Sequence, residues 1–191
     1  MPAYYLEAAV VVLGIVLMLM EAFVDKADKS FVGKVGIVGL GVIFLGLFMV
    51  KSPADGDTSA IWSFYAVDAT SLFYKGFALI TTIIVLVMSL DYRGVIQHYM
   101  GADQEKPQAG LGEFLYLPLF TCAGLMWMAS AKDIVSIFVS LELVTISFYI
   151  LVAFLRRNVG SLEAGVKYLI LGALSTGFLV YGLTWLSGLS G

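Results

Sequence analysis

Six long apolar runs constrain the fold of this chain more than any other feature of its sequence. A helix needs roughly twenty apolar residues to cross the hydrocarbon core of a bilayer. Within lipid the backbone polar groups must bond to one another, so such runs become helices unless strands close into a barrel. The sequence therefore predicts an all-α, polytopic membrane helix bundle with about six transmembrane helices, over Tyr4–Val24, Val35–Val50, Ala69–Leu90, Phe114–Ala131, Ile134–Phe154 and Ala164–Leu186.

The composition supports a membrane protein and excludes several function classes. Apolar residues make up 60% of the chain and charged residues 13%, against ~45–50% and ~25% in soluble domains. The net charge of −3 gives no reason to expect a nucleic-acid partner. Cys122 is the single cysteine and His98 the single histidine, so the chain has no set of thiolates for an iron–sulfur cluster. We expect no cofactor and no metal ion to be bound by this chain.

The basic residues between the apolar runs predict an orientation. If the six helices alternate in direction, seven Lys and Arg residues fall on one side of the membrane and two on the other. Because positive charge is enriched in cytoplasmic connections, the side with seven is expected to be cytoplasmic. Both chain termini are then expected on the outer side. The group of seven is Lys26, Lys29, Lys34, Arg93, Lys106, Arg156 and Arg157, and the group of two is Lys51 and Lys132.

Glu142 is the leading candidate for a functional residue because it lies near the middle of a predicted span. At 1.5 Å per residue it is only ~3 Å from the centre of Ile134–Phe154, too deep to reach water. An ionised side chain there costs ~2.5–3.5 kcal/mol, so it should face protein or trapped water. Glu142, Thr145 and Tyr149 form one polar stripe at helical spacing. The alternative is a protonated, permanently paired Glu142 that only holds helices together.

Two lysines also fall inside predicted spans. Lys75 lies about two turns from the outer end of its helix, and we expect it to snorkel to the interface. Lys167 follows Glu163 by four residues, a spacing that favours an ion pair along one helix. Lys167 is nevertheless ~5 Å inside the predicted boundary, on a helix joined by a short turn to that of Glu142. We therefore name Glu142, Lys167 and Glu163 as candidates for proton transfer, with the simple ion pair as the alternative.

Other charged and aromatic residues are predicted to have ordinary structural roles. Glu7 lies near the outer end of the first helix, where a carboxylate is typical interface chemistry. Phe64 and Tyr65 belong to an aromatic belt at the outer interface, together with Trp62. Asp133 and Ser161 are predicted to cap the N-termini of the last two helices. The glycines of the second span should allow neighbouring helices to approach closely.

A buried acid and lysines in a helix bundle suit proton movement, since burial and nearby charges shift both kinds of group toward neutral pH. At these residues the chain resembles the antiporter-like, proton-conducting membrane subunits of NADH-quinone oxidoreductase, respiratory complex I, and among them subunit N most. The resemblance is strongest over residues 113–191. It depends on Gly124 and Met126 before Ser130, the Ala-Lys-Asp turn at 131–133, Leu-Glu-Leu at 141–143, Tyr149, Glu163-Ala164, Lys167-Tyr168 and Leu171-Gly172-Ala173.

The resemblance implies a function for the chain and a role for Glu142. It implies a membrane subunit taking part in proton translocation coupled to quinone reduction, in an enzyme whose NADH, FMN, iron–sulfur clusters and quinone belong to partner subunits. The glutamate at the position of Glu142 is paired in the family with a lysine on a later helix of the proton path. Expected partners are other membrane subunits and the lipid bilayer, and the expected location is the bacterial inner membrane.

The resemblance also implies a domain organisation. Residues 1–191 would be a single transmembrane domain, with peripheral helices over residues 4–90 and the start of the proton-channel core over residues 113–191. Family members have about fourteen helices in two inverted repeats with broken helices, so a six-helix chain is expected to be truncated. Two alternatives remain open: a structural membrane scaffold without its own ion path, and a subunit of a cation/proton antiporter or membrane-bound hydrogenase.

Overall fold

The structure, a computed structural model, describes residues 2–23, 29–50, 64–100, 110–155 and 157–190. Six of the helices in these ranges are long and apolar enough to cross a membrane, which confirms the predicted helix bundle. The described part has no strand, only an isolated antiparallel bridge between Tyr65 and Ala131. The helices are α1 (Tyr4–Phe23), α2 (Ser30–Leu47), α3 (Ala69–Asp91), α4 (Arg93–Met100), α5 (Leu111–Met128), α6 (Ile134–Val152) and α7 (Val159–Ser190).

Helix α5 is the centre of the bundle and packs against α1, α2, α3 and α6. Its inward stripe follows helical spacing along the whole length of the helix. Because every residue of this stripe is fully buried, α5 holds the surrounding helices in place. The stripe consists of Leu111, Leu115, Leu119, Cys122 and Met126.

Glycines on α2 bring its backbone close to α1 and α3, as predicted. A Cβ atom on Gly39 would lie 2.5 Å from Leu13 of α1, and one on Gly33 would lie 2.8 Å from Leu90 of α3. Because lipid is as apolar as the helix surfaces, membrane helices associate through close packing of this kind and not through the hydrophobic effect. The first three transmembrane helices are thereby packed as one layer against α5.

The ends of the helices agree with the prediction in one case and correct it in another. The Asp133 carboxylate accepts hydrogen bonds from the backbone N–H groups of Val135 and Ser136, so it caps α6 as predicted. The prediction that Ser161 caps α7 is wrong. The helix begins at Val159, and the Asn158 side chain accepts from the N–H groups of Gly160 and Ser161. An asparagine can cap as well as a serine, and this one comes first along the chain.

Candidate functional site

The Glu142 side chain faces α7. It is partly buried, and its Oε1 atom accepts a hydrogen bond of 2.9 Å from the Thr176 hydroxyl. Thr176 lies near the middle of α7, so the contact joins the two helices well away from their ends. The polar group predicted at mid-span is therefore directed at protein, as a membrane carboxyl requires.

Two turns along α6, Tyr149 faces the same helix. Its ring packs edge-on against Tyr168 at a centroid distance of 5.1 Å. A Cβ atom on Gly172 would overlap the Tyr149 hydroxyl, so only glycine leaves room for this contact. The predicted stripe thus points Glu142 and Tyr149 toward α7, while the Thr145 hydroxyl donates to the Glu142 backbone carbonyl.

Glu163 and Lys167 form the ion pair that their spacing predicts. Their side chains are 61% and 69% exposed in this chain, and both lie in the first third of α7. Among the described residues, Glu142 accepts a hydrogen bond from Thr176, and Lys167 donates one to Glu163. The structure therefore brings Lys167 to Glu163 and does not bring it to Glu142.

A second charged cluster, missed from the sequence, lies where α1 and α3 begin. The Lys75 ammonium is 2.8 Å from Glu7 Oε1, and the two side chains are 0% and 3% exposed. The prediction that Lys75 snorkels is wrong, as is the prediction that Glu7 is an interface carboxylate. Each charge stays inside the bundle because the other compensates part of its desolvation. The sequence offered one indication of this pair: Glu7 and Lys75 both fall within two helical turns of the same end of the predicted bundle.

Tyr65 completes this cluster. Its hydroxyl donates to Glu7 Oε1 at 2.7 Å and accepts from Lys75 Nζ at 2.7 Å. Burial, followed by the nearby Glu7 carboxylate, raises the pKa of the Tyr65 hydroxyl, so this group stays protonated and remains a donor. The Tyr65 ring is buried against Trp127, with the centroids 5.5 Å apart. The prediction of an interface belt is wrong for this residue, and Trp62 lies outside the described residues.

The backbone around Tyr65 is held by the turn between α5 and α6. Lys132 N–H donates to the Phe64 carbonyl at 2.9 Å, and Ala66 N–H donates to the Ser130 carbonyl at 2.7 Å. These two bonds flank the bridge of Tyr65 with Ala131. The segment before α3 is thereby fastened to the α5–α6 hairpin.

A cavity of about 450 Å³ adjoins the Glu7 cluster. It lies between α1, α5 and α6 and is lined mainly by apolar side chains. Glu7 of the cluster contributes to one wall, and Ser140 and Leu143 contribute to the wall formed by the helix of Glu142. In the part of the chain that is described, no group of three or more His, Cys, Asp or Glu residues could hold a metal ion.

Comparison with known proteins relates the chain to one family. The family model described as NADH:quinone oxidoreductase/Mrp antiporter, TM, matches residues 131–191. NADH-quinone oxidoreductase subunit N of Trichlorobacter lovleyi is 33% identical over 186 residues, and that of Paramagnetospirillum magneticum is 31% identical over 185 residues. Each alignment covers 97% of this chain and 35% of the relative.

A solved structure agrees in fold. A chain of respiratory complex I from Thermus thermophilus, in a structure with bound aureothin, superimposes with a TM-score of 0.71 at 25% identity. It covers 96% of this chain and 36% of the Thermus chain. The chain is related to NADH-quinone oxidoreductase subunit N. It spans about a third of the length of these subunit N relatives.

Only one of the two polar regions lies in the segment that the family model matches. The segment matched by the family model begins at Ala131 and contains Glu142, Glu163 and Lys167. Glu7, Tyr65 and Lys75 precede that segment. The residues named from the sequence therefore lie in the family segment, whereas the buried ion pair lies in the helices that come before it.

Proposed function

We propose that this chain is a membrane subunit of an NADH-quinone oxidoreductase that takes part in proton translocation, with Glu142 in the proton path. This proposal is supported most directly by the Glu142 carboxyl, which lies near the middle of α6 and accepts a hydrogen bond from the Thr176 hydroxyl. A hydroxyl can donate one hydrogen bond and accept others, so it suits a carboxyl that gains and loses a proton. The relation to subunit N supports the assignment.

Glu163 and Lys167 have a different place in this proposal. Their ion pair is exposed at the beginning of α7, where it can exchange protons with water or with a neighbouring helix. Lys167 is bound to Glu163, so the lysine that acts with Glu142 would come from another helix. Residues 113–191 then form the start of the proton-channel core.

The redox chemistry belongs to other subunits in this proposal. NADH, FMN, iron–sulfur clusters and quinone would be bound there, and the signal from their reaction would reach this chain through the protein. The expected setting is the bacterial inner membrane, with both termini of the chain outside. The excess of basic residues on the other side supports this orientation.

The test is Glu142→Gln in the assembled complex, reconstituted in vesicles. Glutamine keeps the size and the contact with Thr176 but cannot carry the proton. We expect the complex to assemble and proton pumping to fall. Glu113→Gln is the matched control, because this carboxylate is partly buried at the start of α5. Normal pumping by Glu142→Gln would show that this glutamate is not in the path.

Two other functions are distinguished by related measurements. The tight contact between Gly172 and Tyr149 favours a scaffold, in which Glu142→Gln is neutral while a bulky residue at Gly172 prevents assembly. The Mrp antiporters in the matched family favour a cation/proton antiporter subunit. Dependence of transport on sodium or potassium would identify that function.

A further inference from the structure

We propose that Glu7, Tyr65 and Lys75 form a second proton-binding site, which exchanges a proton with the cavity between α1, α5 and α6. The inference rests on the proposed function in one respect, that the chain works in a proton-moving complex. It does not require that Glu142 carry protons. The ligand of the site is a single proton.

The geometry provides a closed set of short hydrogen bonds. Lys75 Nζ is 2.7 Å from the Tyr65 hydroxyl, which is 2.7 Å from Glu7 Oε1. Lys75 Nζ also lies 2.8 Å from Glu7 Oε1. Lys75 can therefore pass a proton to Glu7 either directly or through the hydroxyl. In the second route Tyr65 gives its proton to Glu7 and takes one from Lys75.

The proton balance of this step is simple. One N–H bond of Lys75 breaks and one O–H bond forms on Glu7, so the ion pair becomes a neutral amine and a carboxylic acid. The total number of protons is unchanged. Burial disfavours the charged forms and mutual attraction favours them, so the two effects oppose one another. This opposition is what makes a buried acid–base pair suitable for gaining and losing a proton.

The second oxygen of Glu7 is available to hold the proton. Glu7 Oε2 is buried and has no hydrogen-bond partner among the described residues. Glu7 lines the cavity of about 450 Å³, whose other walls are mainly apolar, so a water is expected only beside the Glu7 carboxyl. A water that accepts the proton of the carboxylic acid leaves Glu7 ionised and Lys75 neutral. Uptake of one proton then restores the ion pair.

The cavity also relates this site to the helix that carries Glu142. Ser140 and Leu143 line its α6 wall and lie on either side of Glu142 in the sequence. The Glu142 side chain itself faces α7 through Thr176. The proposed site thus lies on the opposite side of α6 from the first candidate site.

The first test is Lys75→Arg in the intact complex. Arginine keeps the positive charge and the ion pair with Glu7, but its guanidinium does not release a proton in proteins. We expect assembly and quinone reduction to be retained and proton pumping to be lost. Lys29→Arg is the matched control, since Lys29 forms a partly buried ion pair with Glu21 at 3.1 Å. It should pump normally.

The second test removes the cluster as a unit. The triple variant Glu7→Leu, Tyr65→Phe, Lys75→Met leaves no buried charge unpaired, and such replacements are often tolerated. We expect an assembled complex that has lost proton pumping. The two tests change side-chain volume differently, so either can decide if the other variant does not assemble. An assembled variant of either kind that pumps like the wild type overturns the proposal.

The outcome can be separated from that for Glu142. If Glu142→Gln pumps normally while Lys75→Arg does not, the Glu142 path is wrong and the Glu7–Lys75 site stands. If Glu142→Gln stops pumping while Lys75→Arg and the triple variant pump normally, the path stands. The Glu7–Lys75 pair is then a structural tie between α1 and α3.

Discussion

The carboxyls of Glu7, which is buried, and of Glu142, which is partly buried, have different partners. Glu7 lies against a cation, Lys75, and a phenol, Tyr65. Glu142 meets the neutral hydroxyl of Thr176. A cation compensates the charge of a carboxylate, whereas a hydroxyl only hydrogen-bonds to it. In the first arrangement the carboxylate is compensated by a cation, and in the second the carboxyl is left open to a further partner.

Gly172 gives a prediction at the residue scale. Gly172→Val should destabilise the protein by ~1–3 kcal/mol, because its side chain would overlap the Tyr149 hydroxyl. Denaturation of the purified complex, followed by the loss of this subunit, measures the effect. Gly177→Val is the control, since a Cβ atom there meets no atom within 4 Å. Equal effects of the two substitutions would contradict the packing between α6 and α7.

The two carboxyl sites also differ in how far the sequence predicts them. Glu142 is visible as a candidate because a charge at mid-span is unusual in any single helix. The Glu7–Lys75 pair is not visible in the sequence, because the two positions are 68 residues apart and each lies near a helix end. When each helix is considered alone, Glu7 and Lys75 both resemble ordinary interface charges. Only the arrangement of α1 and α3 around α2 and α5 brings the two side chains together.

At the scale of elements, hydropathy predicts the six spans because lipid imposes length and apolar composition on each helix separately. The short α4, Arg93–Met100, was missed, since eight residues carry no such signal. Helix α7 begins five residues before the predicted Ala164, where Asn158 rather than Ser161 supplies the cap. Hydropathy therefore predicts which helices are long and apolar enough to cross a membrane, and local hydrogen bonds decide where they begin.

Asp133 gives a prediction at the element scale. Asp133→Ala removes the side chain that accepts from Val135 and Ser136 at the start of α6. Loss of an N-cap of this kind costs ~1 kcal/mol of stability. Thermal or chemical denaturation should show this decrease, with Asp133→Asn close to the wild type because asparagine also caps. An unchanged stability for Asp133→Ala would mean that the hairpin, and not the cap, fixes the helix start.

At the scale of the whole molecule, six membrane crossings would place the start of α1 and the end of α7 on one side of the membrane. The same end of the bundle holds the Glu7 cluster and the turn between α5 and α6. The opposite end holds α4 and the Glu21–Lys29 ion pair. The orientation expected from the basic residues would therefore place the Glu7–Lys75 pair near the outer surface.

Thiol labelling tests this orientation. Gly94→Cys and Gly188→Cys introduce cysteines where the structure has open space, at opposite ends of the bundle. A membrane-impermeant thiol reagent should label Gly188→Cys in right-side-out vesicles and Gly94→Cys in inside-out vesicles. The wild-type chain is the control, because Cys122 is buried. The reverse pattern would place both termini inside.

The two backbone bonds that fasten Tyr65 to the α5–α6 turn have a mechanical consequence. The segment at Phe64–Ala66 is anchored to Ser130–Lys132, while Glu7 and Lys75 belong to α1 and α3. A tilt of the α5–α6 hairpin would therefore move the Tyr65 hydroxyl relative to Glu7 and Lys75. The bridge between Tyr65 and Ala131 would thereby couple a displacement of the hairpin to the hydrogen-bond lengths around the Glu7–Lys75 pair.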